Sequence, residues 1–523
     1  MSAPFDHSDD SVVVIIGTGA GGGVLANELA QKGVSVVSLE AGGRYLPEDY
    51  INDEWESFGQ LAWTDARTTS GDWRVARDFP GLPTWIVKAV GGSSVHWAGA
   101  SLRFQDHEWK AATTYGDVPG ANLLDWPIDG AEMAPWYDKA EKKLGVTRTN
   151  GWPGLPGNNN FKVMEAGAKA LGYTEVSTGR MAIMSHEDGD RTMCQQTGFC
   201  FQGCKWGAKW SSAYTDIEQG EATGNLEVRI KCHAARILHD DSGKVTGVEY
   251  FDENGDLQMQ AARVVCVAGN SIESPRLLLN SASPMFPDGL ANSSGQVGRN
   301  YMRHTTGSVY AVFDKPVRMW RGTTMAGIIQ DEARHDPSRG FVGGFEMETV
   351  SVGLPFAAAF LDPGAWGREF ATALDGYENM AGMWIVGEDM PQETNRITLN
   401  AEVRDQFGLP APDVHFDDHP NDIAMRNYAY ERGAALYDAV GATRVFPTPP
   451  YPSTHNLGTN RMSENPRDGV VNKHGQSHDI ANLFVSDGSQ FTTGASENPT
   501  LTIVALAIRQ AEFISGAMNR GEI

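Results

Sequence analysis

Residues 11–17 form a nearly continuous apolar run, Ser-Val-Val-Val-Ile-Ile-Gly, the pattern of a strand buried on both faces. It leads straight into Gly17-Thr18-Gly19-Ala20-Gly21-Gly22-Gly23, then a helical segment to Gly33, then a second apolar strand over 34–39 closed by Glu40. This predicts a βαβ unit. From 226 to 268 the pattern shortens to alternating runs parted by turn signals. Asp240-Asp241-Ser242-Gly243-Lys244 and Glu253-Asn254-Gly255-Asp256 read as hairpin turns. An antiparallel meander is expected there, ending in a buried strand over 264–268. A helix is predicted over 421–440, entered through His419-Pro420 and stopped by Gly441. The C-terminal segment gives a strand at 483–486 and a helix from Pro499 to Met518. Residues 305–415 mix strands and loops, and the Gly/Asn/Pro-rich stretch 150–160 reads as a surface loop or a boundary.

Composition narrows the classes. The 523 residues allow up to about three domains. The 59 glycines, without a fixed period, suit many tight turns rather than a fibrous chain. A net charge of −24 supplies no positive field for phosphate counterion release, so nucleic acid is excluded as a partner. No apolar run reads as a membrane span, so no direct membrane span is expected. The segment Met1–His7 has neither the basic start nor the apolar stretch of a secretion signal. The expected location is the cytoplasm, or the periplasm after export alongside a signal-bearing subunit. Five cysteines is an odd number and argues against a disulfide framework. Cys232 and Cys266 sit in strand-like runs as small core residues, whereas Cys194, Cys200 and Cys204 cluster.

The first chemical motif is Gly17-x-Gly19-x-x-Gly22. Gly17 permits the tight turn, Gly19 lets the backbone approach a pyrophosphate, and Gly22 lets helix and strand pack closely. The anion then rests on the helix N-terminus. Glu40, eighteen residues past Gly22, is placed for a ribose hydroxyl and disfavours a 2′-phosphate. FAD and NAD both fit this unit.

Five ordered segments resolve that choice by resemblance. They are the fingerprint; Val90-Gly91-Gly92-Ser93-Ser94-Val95-His96-Trp97; Ala268-Gly269-Asn270-Ser271-Ile272-Glu273-Ser274-Pro275-Arg276-Leu277; Val297-Gly298-Arg299-Asn300-Tyr301-Met302-Arg303-His304; and the block from His455 to Ala507. Together they resemble the glucose-methanol-choline (GMC) oxidoreductases over nearly the whole chain, with motifs nearest to bacterial FAD-dependent sugar and polyol dehydrogenases and pyranose oxidases. The resemblance implies FAD on the fingerprint, with Gly91, Gly92, Ser93 and Ser94 against the flavin. Small residues there also let backbone amides reach an anion or a ring edge. His96 matches a histidine that carries covalent flavin in pyranose oxidases; a packed or hydrogen-bonding histidine is the other reading. Asp487 and Gly488 are implied to contact the FAD diphosphate or ribityl chain.

The resemblance also implies the catalytic pair. His455-Asn456-Leu457-Gly458-Thr459 matches the segment that supplies the active-site histidine, and Asn498-Pro499-Thr500 the segment that supplies its partner. Neutral imidazole can accept a hydroxyl proton near neutrality. An amide can hold the substrate oxygen without competing for the proton. A surface or capping histidine, and an Asn498 that caps the following helix, are the plainer readings. Cys194-x5-Cys200-x3-Cys204 is not a pattern of paired zinc hooks. It resembles the thiolate triad that holds a 3Fe–4S cluster in bacterial FAD-dependent glucose dehydrogenases; Phe199, Phe201 and Trp206 equally suit inert packed thiols. Glu388-Asp389, Asp417-Asp418-His419 and His304 are not read as catalytic, and His304 is expected to pack toward the adenine side.

The expected fold is α/β: a Rossmann-like FAD-binding domain from 1–110, 190–304 and 455–523, and a substrate domain from 111–189 and 305–454 built on an antiparallel sheet. The expected function is oxidation of a hydroxyl on a sugar, sugar acid or glycoside. His455 takes the proton, flavin N5 takes the hydride, and electrons pass to an external acceptor such as a cytochrome. An oxygen-using oxidase and a non-sugar alcohol or aromatic-alcohol dehydrogenase are the alternatives. An NAD-dependent enzyme and a non-catalytic flavin-binding protein rank below them.

Overall fold

The computed structural model describes residues 5–53, 56, 61–63, 65–72, 83–189, 191–351, 353, 366–450 and 455–523. The first apolar run forms β1 (Val13–Ile16), every residue buried, and the second forms β2 (Val36–Leu39). Between them lies helix α1 (Ala20–Gln31). The two strands are central in a five-stranded, wholly parallel sheet. Its order is Leu483–Val485, Val264–Val267, β1, β2, Leu226–Arg229. Strands covered on both faces must be apolar throughout, which is why these segments do not alternate.

The register decides where a ligand can sit. Ile16 pairs with both Val267 and Leu39, and Val267 pairs with Val485. Four strand ends are therefore level, and the residues that follow them, Gly17, Glu40, Ala268 and Ser486, emerge along one edge. In open parallel sheets that edge is the ligand crevice.

The meander is present as His233–His239, Val245–Phe251 and Leu257–Ala261, with turns at 240–244 and 252–256. It begins later than expected: Leu226–Arg229 joins the parallel sheet beside β2 instead. An edge strand is covered less evenly than a central one, so its burial varies and the sequence imitates a half-exposed strand.

The second layer is a six-stranded antiparallel sheet. Its order is Arg444–Pro447, Thr305–Val312, Met380–Gly387, Phe345–Thr349, Ile328–Ile329, Val176–Ser177. Two-residue alternation sorts its side chains. Ala381, Met383 and Ile385 pack with Phe345, Met347, Met425 and Leu436 in the core beneath helices Asn159–Ala170 and Pro420–Asp438. Met380, Trp384 and Val386 point the other way, into a cluster with Ala98, Ala100 and Met325. The antiparallel substrate layer expected from the sequence is thus a roof with one face toward helices and one toward the crevice.

The closing helix, Thr500–Arg520, is 21 residues long and, by length and composition alone, apolar enough to cross a membrane. This corrects the sequence reading that no such stretch exists. The helix packs against α1 and helix Gly130–Leu144, and 72% of its apolar window is buried within the protein. A core helix covered on several sides reads as apolar all round. Cys232 and Cys266 are buried, as expected of core residues.

Candidate active site

One crevice runs from the fingerprint to the catalytic candidates. Gly17, Gly19, Glu40, Gly92, Ser93, Ser94, His96, Asp487, Gly488, His455 and Asn498 all line it, although they come from six separate stretches of chain. Gly91 lies just behind, in the left-handed region at φ +94°.

The glycines of the fingerprint have different tasks. A Cβ on Gly17, at φ +100°, would sit 2.4 Å from the Ala268 carbonyl oxygen, and one on Gly22 2.1 Å from the Gly17 oxygen. Both are required by the protein's own packing. Gly19 is not: the nearest atom to its Cβ position is Gly92 Cα, 4.0 Å away. Gly19 is also the N-cap of α1, where no side chain caps the helix and no acidic residue lies in the first turn. An open cradle at an uncapped helix N-terminus suits an anion held by backbone N–H groups. The donor set fits the diphosphate of a dinucleotide flavin such as FAD.

Glu40 is organised before any ligand arrives. Its Oε2 accepts the Thr18 N–H (3.1 Å) and hydroxyl (2.7 Å), and its Oε1 accepts the Gly42 N–H (2.9 Å). Burial raises its pKa while these bonds oppose the rise. Thr18 in turn receives the Gly91 N–H at 3.2 Å, tying the fingerprint to the second glycine loop. The Ser94 hydroxyl donates to the Gly91 carbonyl (2.6 Å) and meets Ser211 (2.9 Å), so it fixes the loop. Asp487 accepts the Asn270 N–H and the Ser274 hydroxyl on Oδ2, and the Ser489 N–H on Oδ1. Its carboxylate pins the strand ends together beneath the crevice.

His96 is fully buried, and its Nδ1 donates to the Phe201 carbonyl at 2.6 Å. Burial pushes its pKa down to about 4, so it is neutral. Phe201 is also a crevice wall, which places the cysteine loop directly behind His96. Cys194, Cys200 and Cys204 line a separate small cavity with Ile183, Trp206 and Ala208. Each sulfur accepts one N–H at 3.4 Å: Cys194 from Gln196 Nε2, Cys200 from Thr324 N, and Cys204 from Lys209 N. Burial raises the Cys194 thiol to about 12 and also raises Cys200. The three sulfurs thus line one cavity and already receive N–H bonds, which favour the thiolate, while their burial opposes it. Buried Lys209 donates to the carbonyls of Val95, Trp97 and Cys200 at 2.7–2.8 Å and so clamps both loops.

At the other end of the crevice His455 is half-buried, and its partial desolvation, followed by His304, holds its pKa well below the ordinary value. Asn498 does not cap its helix. The helix begins at Thr500 after Pro499, and Asn498 Oδ1 is buried with no partner among the described residues. Glu348 lies beside Asn498, its carboxyl pushed up to about 8 by burial.

Two residues near this end were not singled out as functional by the sequence. Trp384 lines the crevice 5.6 Å from the His455 ring (centroid to centroid), and its Nε1–H is buried with no partner among the described residues. His304, expected on the adenine side, instead lies against His455 with the two Nδ1 atoms 3.1 Å apart. The cause is a backbone pairing that a linear reading does not reveal. Met302 and Leu457 exchange N–H···O bonds of 3.1 and 2.9 Å as an antiparallel bridge, and two residues further along that register 304 faces 455.

Comparison with known proteins agrees with this architecture. Two family models, both described as GMC oxidoreductase, match residues 27–306 and 391–507. A 2-methyl-1,2-propanediol dehydrogenase of Mycolicibacterium austroafricanum is 34% identical, covering 97% of this chain and 96% of that protein. The fructose dehydrogenase large subunit of Gluconobacter japonicus is 26% identical, covering 97% and 98%. Among solved structures, an R554A formate oxidase of Aspergillus oryzae superimposes with a TM-score of 0.67 at 17% identity, over 97% of this chain and 98% of that one. This last likeness concerns the fold alone.

Proposed function

This chain belongs to the GMC oxidoreductase family, which acts on CH–OH donors, and from that premise we propose that it dehydrogenates one hydroxyl of a small molecule carrying two adjacent hydroxyls. Sugars, sugar acids and glycosides share that feature with 1,2-diols. The observation that carries this reading is the pair of buried groups without partners among the described residues, the Trp384 Nε1–H and Asn498 Oδ1, in the same crevice as His455. A buried polar atom left unsatisfied costs about 1–3 kcal/mol, which a hydroxylated ligand recovers. A small diol is favoured by the relative at 34% identity, a sugar by the fructose dehydrogenase subunit.

His455 removes the hydroxyl proton. Its depressed pKa keeps it neutral near pH 7 and hence able to accept. The second hydroxyl accepts the Trp384 Nε1–H and donates its own proton to Asn498 Oδ1, so neither group competes for the proton that His455 removes. Glu348, whose carboxyl is pushed toward its uncharged form by burial, stands beside Asn498 without placing a carboxylate against the developing negative charge. Bound FAD, held along Gly17, Gly19, Glu40 and Gly91–Ser94, supplies the hydride acceptor. Apolar walls from Trp97, Ala98 and Met325 exclude water from the reacting carbon.

Trp384→Phe tests the reading. KM for 1,2-diols and sugars is expected to rise about tenfold, the loss of one hydrogen bond. Simple monohydric alcohols of equal size should change little. An equal change for both classes would remove the second-hydroxyl subsite.

Cys194, Cys200 and Cys204 would hold a 3Fe–4S cluster next to the flavin loop, which would relay electrons singly to a cytochrome or other external acceptor. Export with a small signal-bearing subunit fits this arrangement, as does the designation of the fructose dehydrogenase relative as a large subunit. Metal and sulfide analysis of the purified flavoprotein is expected to give about three irons per chain, lost in Cys200→Ser. Flavin without iron would leave the three residues as packed thiols.

A further inference from the structure

The partner of each ring nitrogen gives the direction of the hydrogen bond between the two histidines. His304 Nε2 lies 3.0 Å from the Gly494 carbonyl, which can only accept, so His304 carries its proton on Nε2. Burial holds the His304 pKa down to about 4, so near pH 7 the ring is neutral and its Nδ1 is an acceptor. The partner at that Nδ1 is His455 Nδ1, at 3.1 Å with the rings nearly perpendicular. His455 is neutral as well, so its single proton must sit on Nδ1 and point at His304. The remaining nitrogen, Nε2, carries the basic lone pair.

From this chain of donors and acceptors we propose that His304 is the positioning residue of the active site: it selects the Nδ1–H tautomer of His455 and directs the basic Nε2 to the substrate hydroxyl. The inference rests on the reading of His455 as the base. His304 touches neither substrate nor cofactor in this role; it acts through the base, as the third member of a nucleophile–base–orienter series does.

The surroundings hold His304 to the task. It is 1% exposed and adopts φ +59°, a left-handed conformation taken by only a few per cent of non-glycine residues, though more often by histidine than by most. Strain of that kind persists where neighbours over-determine it. Here the neighbours are the Met302–Leu457 bridge, the Gly298 N–H donated to Thr459 (2.7 Å), and the Arg303 N–H donated to the Asp389 carboxylate (2.6 Å). A Cβ on Gly494 would lie 3.2 Å from both His304 Cδ2 and Asp389 Oδ1, so the glycine allows its carbonyl to approach the ring.

Glutamine is the discriminating replacement. In His304→Gln the amide Nε2 can donate to Gly494, which turns Oε1 into the acceptor for His455 Nδ1–H. Alanine supplies no acceptor. Anaerobic flavin reduction by substrate should fall about 100-fold in His304→Ala, with the substrate concentration giving half-maximal rate little changed. His304→Gln should recover to within about threefold of the parent. Bound flavin and melting temperature are measured for both variants, so that a folding defect is seen as such. Nitrogen-15 spectra of histidine-labelled, flavin-loaded protein give a readout that needs no variant at position 304. The signal that disappears in His455→Ala should report an unprotonated Nε2. A protonated Nε2, an unaffected His304→Ala, or equal losses in the Ala and Gln variants would each overturn the inference. If His455→Ala itself leaves reduction intact, the failure lies with the base and not with its positioning.

Discussion

His455→Ala is expected to slow reduction of the bound flavin by substrate about 10³-fold, the middle of the range for losing a positioned general base, while FAD stays bound. Retention follows from position: the fingerprint, Glu40 and the Gly91–Ser94 loop lie along the crevice away from residue 455, and none of the hydrogen bonds that organise them involves it. The pH profile of the unaltered protein carries the same information. A base works in its neutral form, so the rate rises with pH through its pKa and then levels off. Burial, with His304 next, moves the His455 pKa well below the ordinary 6.5. The acid limb should therefore lie below pH 6.5, with a plateau across neutrality. Steady-state kcat/KM measured across the acid range checks this, and His455→Ala should abolish the limb. A limb that persists in the variant would belong to another group.

Gly19→Ala carries the second large effect, and its value lies in the contrast with Gly21→Ala. In the protein itself a Cβ on Gly19 meets nothing closer than 4.0 Å, so the flavin-free chain should fold and melt as before. Only a ligand seated on the helix N-terminus makes that methyl intrude. Overpacking of about 1–3 kcal/mol corresponds to roughly a 5–150-fold loss of FAD affinity, measurable by titrating flavin-free protein. A Cβ on Gly21 would instead lie 1.7 Å from the Ser486 backbone oxygen, a contact no rotamer relieves. That variant should lose stability with or without FAD. Equal FAD affinity in Gly19→Ala and the parent would place the diphosphate elsewhere.

These residues also mark how far the sequence can be read. Gly17, Gly19, Gly22 and Glu40 were legible because their geometry is local: one strand, one turn, one helix and the next strand end. The hairpin turns at 240–244 and 252–256 were legible for the same reason. Leu226–Arg229 was misplaced because burial at a sheet edge depends on neighbours from other parts of the chain. His304 was misplaced for a larger version of that reason, since its contact with His455 spans 151 residues and exists only through the Met302–Leu457 register. Trp384 stood in a strand whose eight residues are all buried, and nothing local separates a packed tryptophan from one with an unsatisfied Nε1–H. The alternation of Ala381, Met383 and Ile385 against Met380, Trp384 and Val386 was a usable signal for its orientation, though not for its chemistry.

The most direct test of the account is anaerobic mixing of flavin-loaded protein with a series of 1,2-diols and sugars, followed through the flavin absorbance. At least one vicinal hydroxyl compound is expected to bleach the flavin at a rate that saturates with concentration, and His455→Ala to lose nearly all that rate with the flavin still bound. Bleaching that proceeds equally fast in His455→Ala, or no bleaching by any hydroxylated compound in the series, would contradict it.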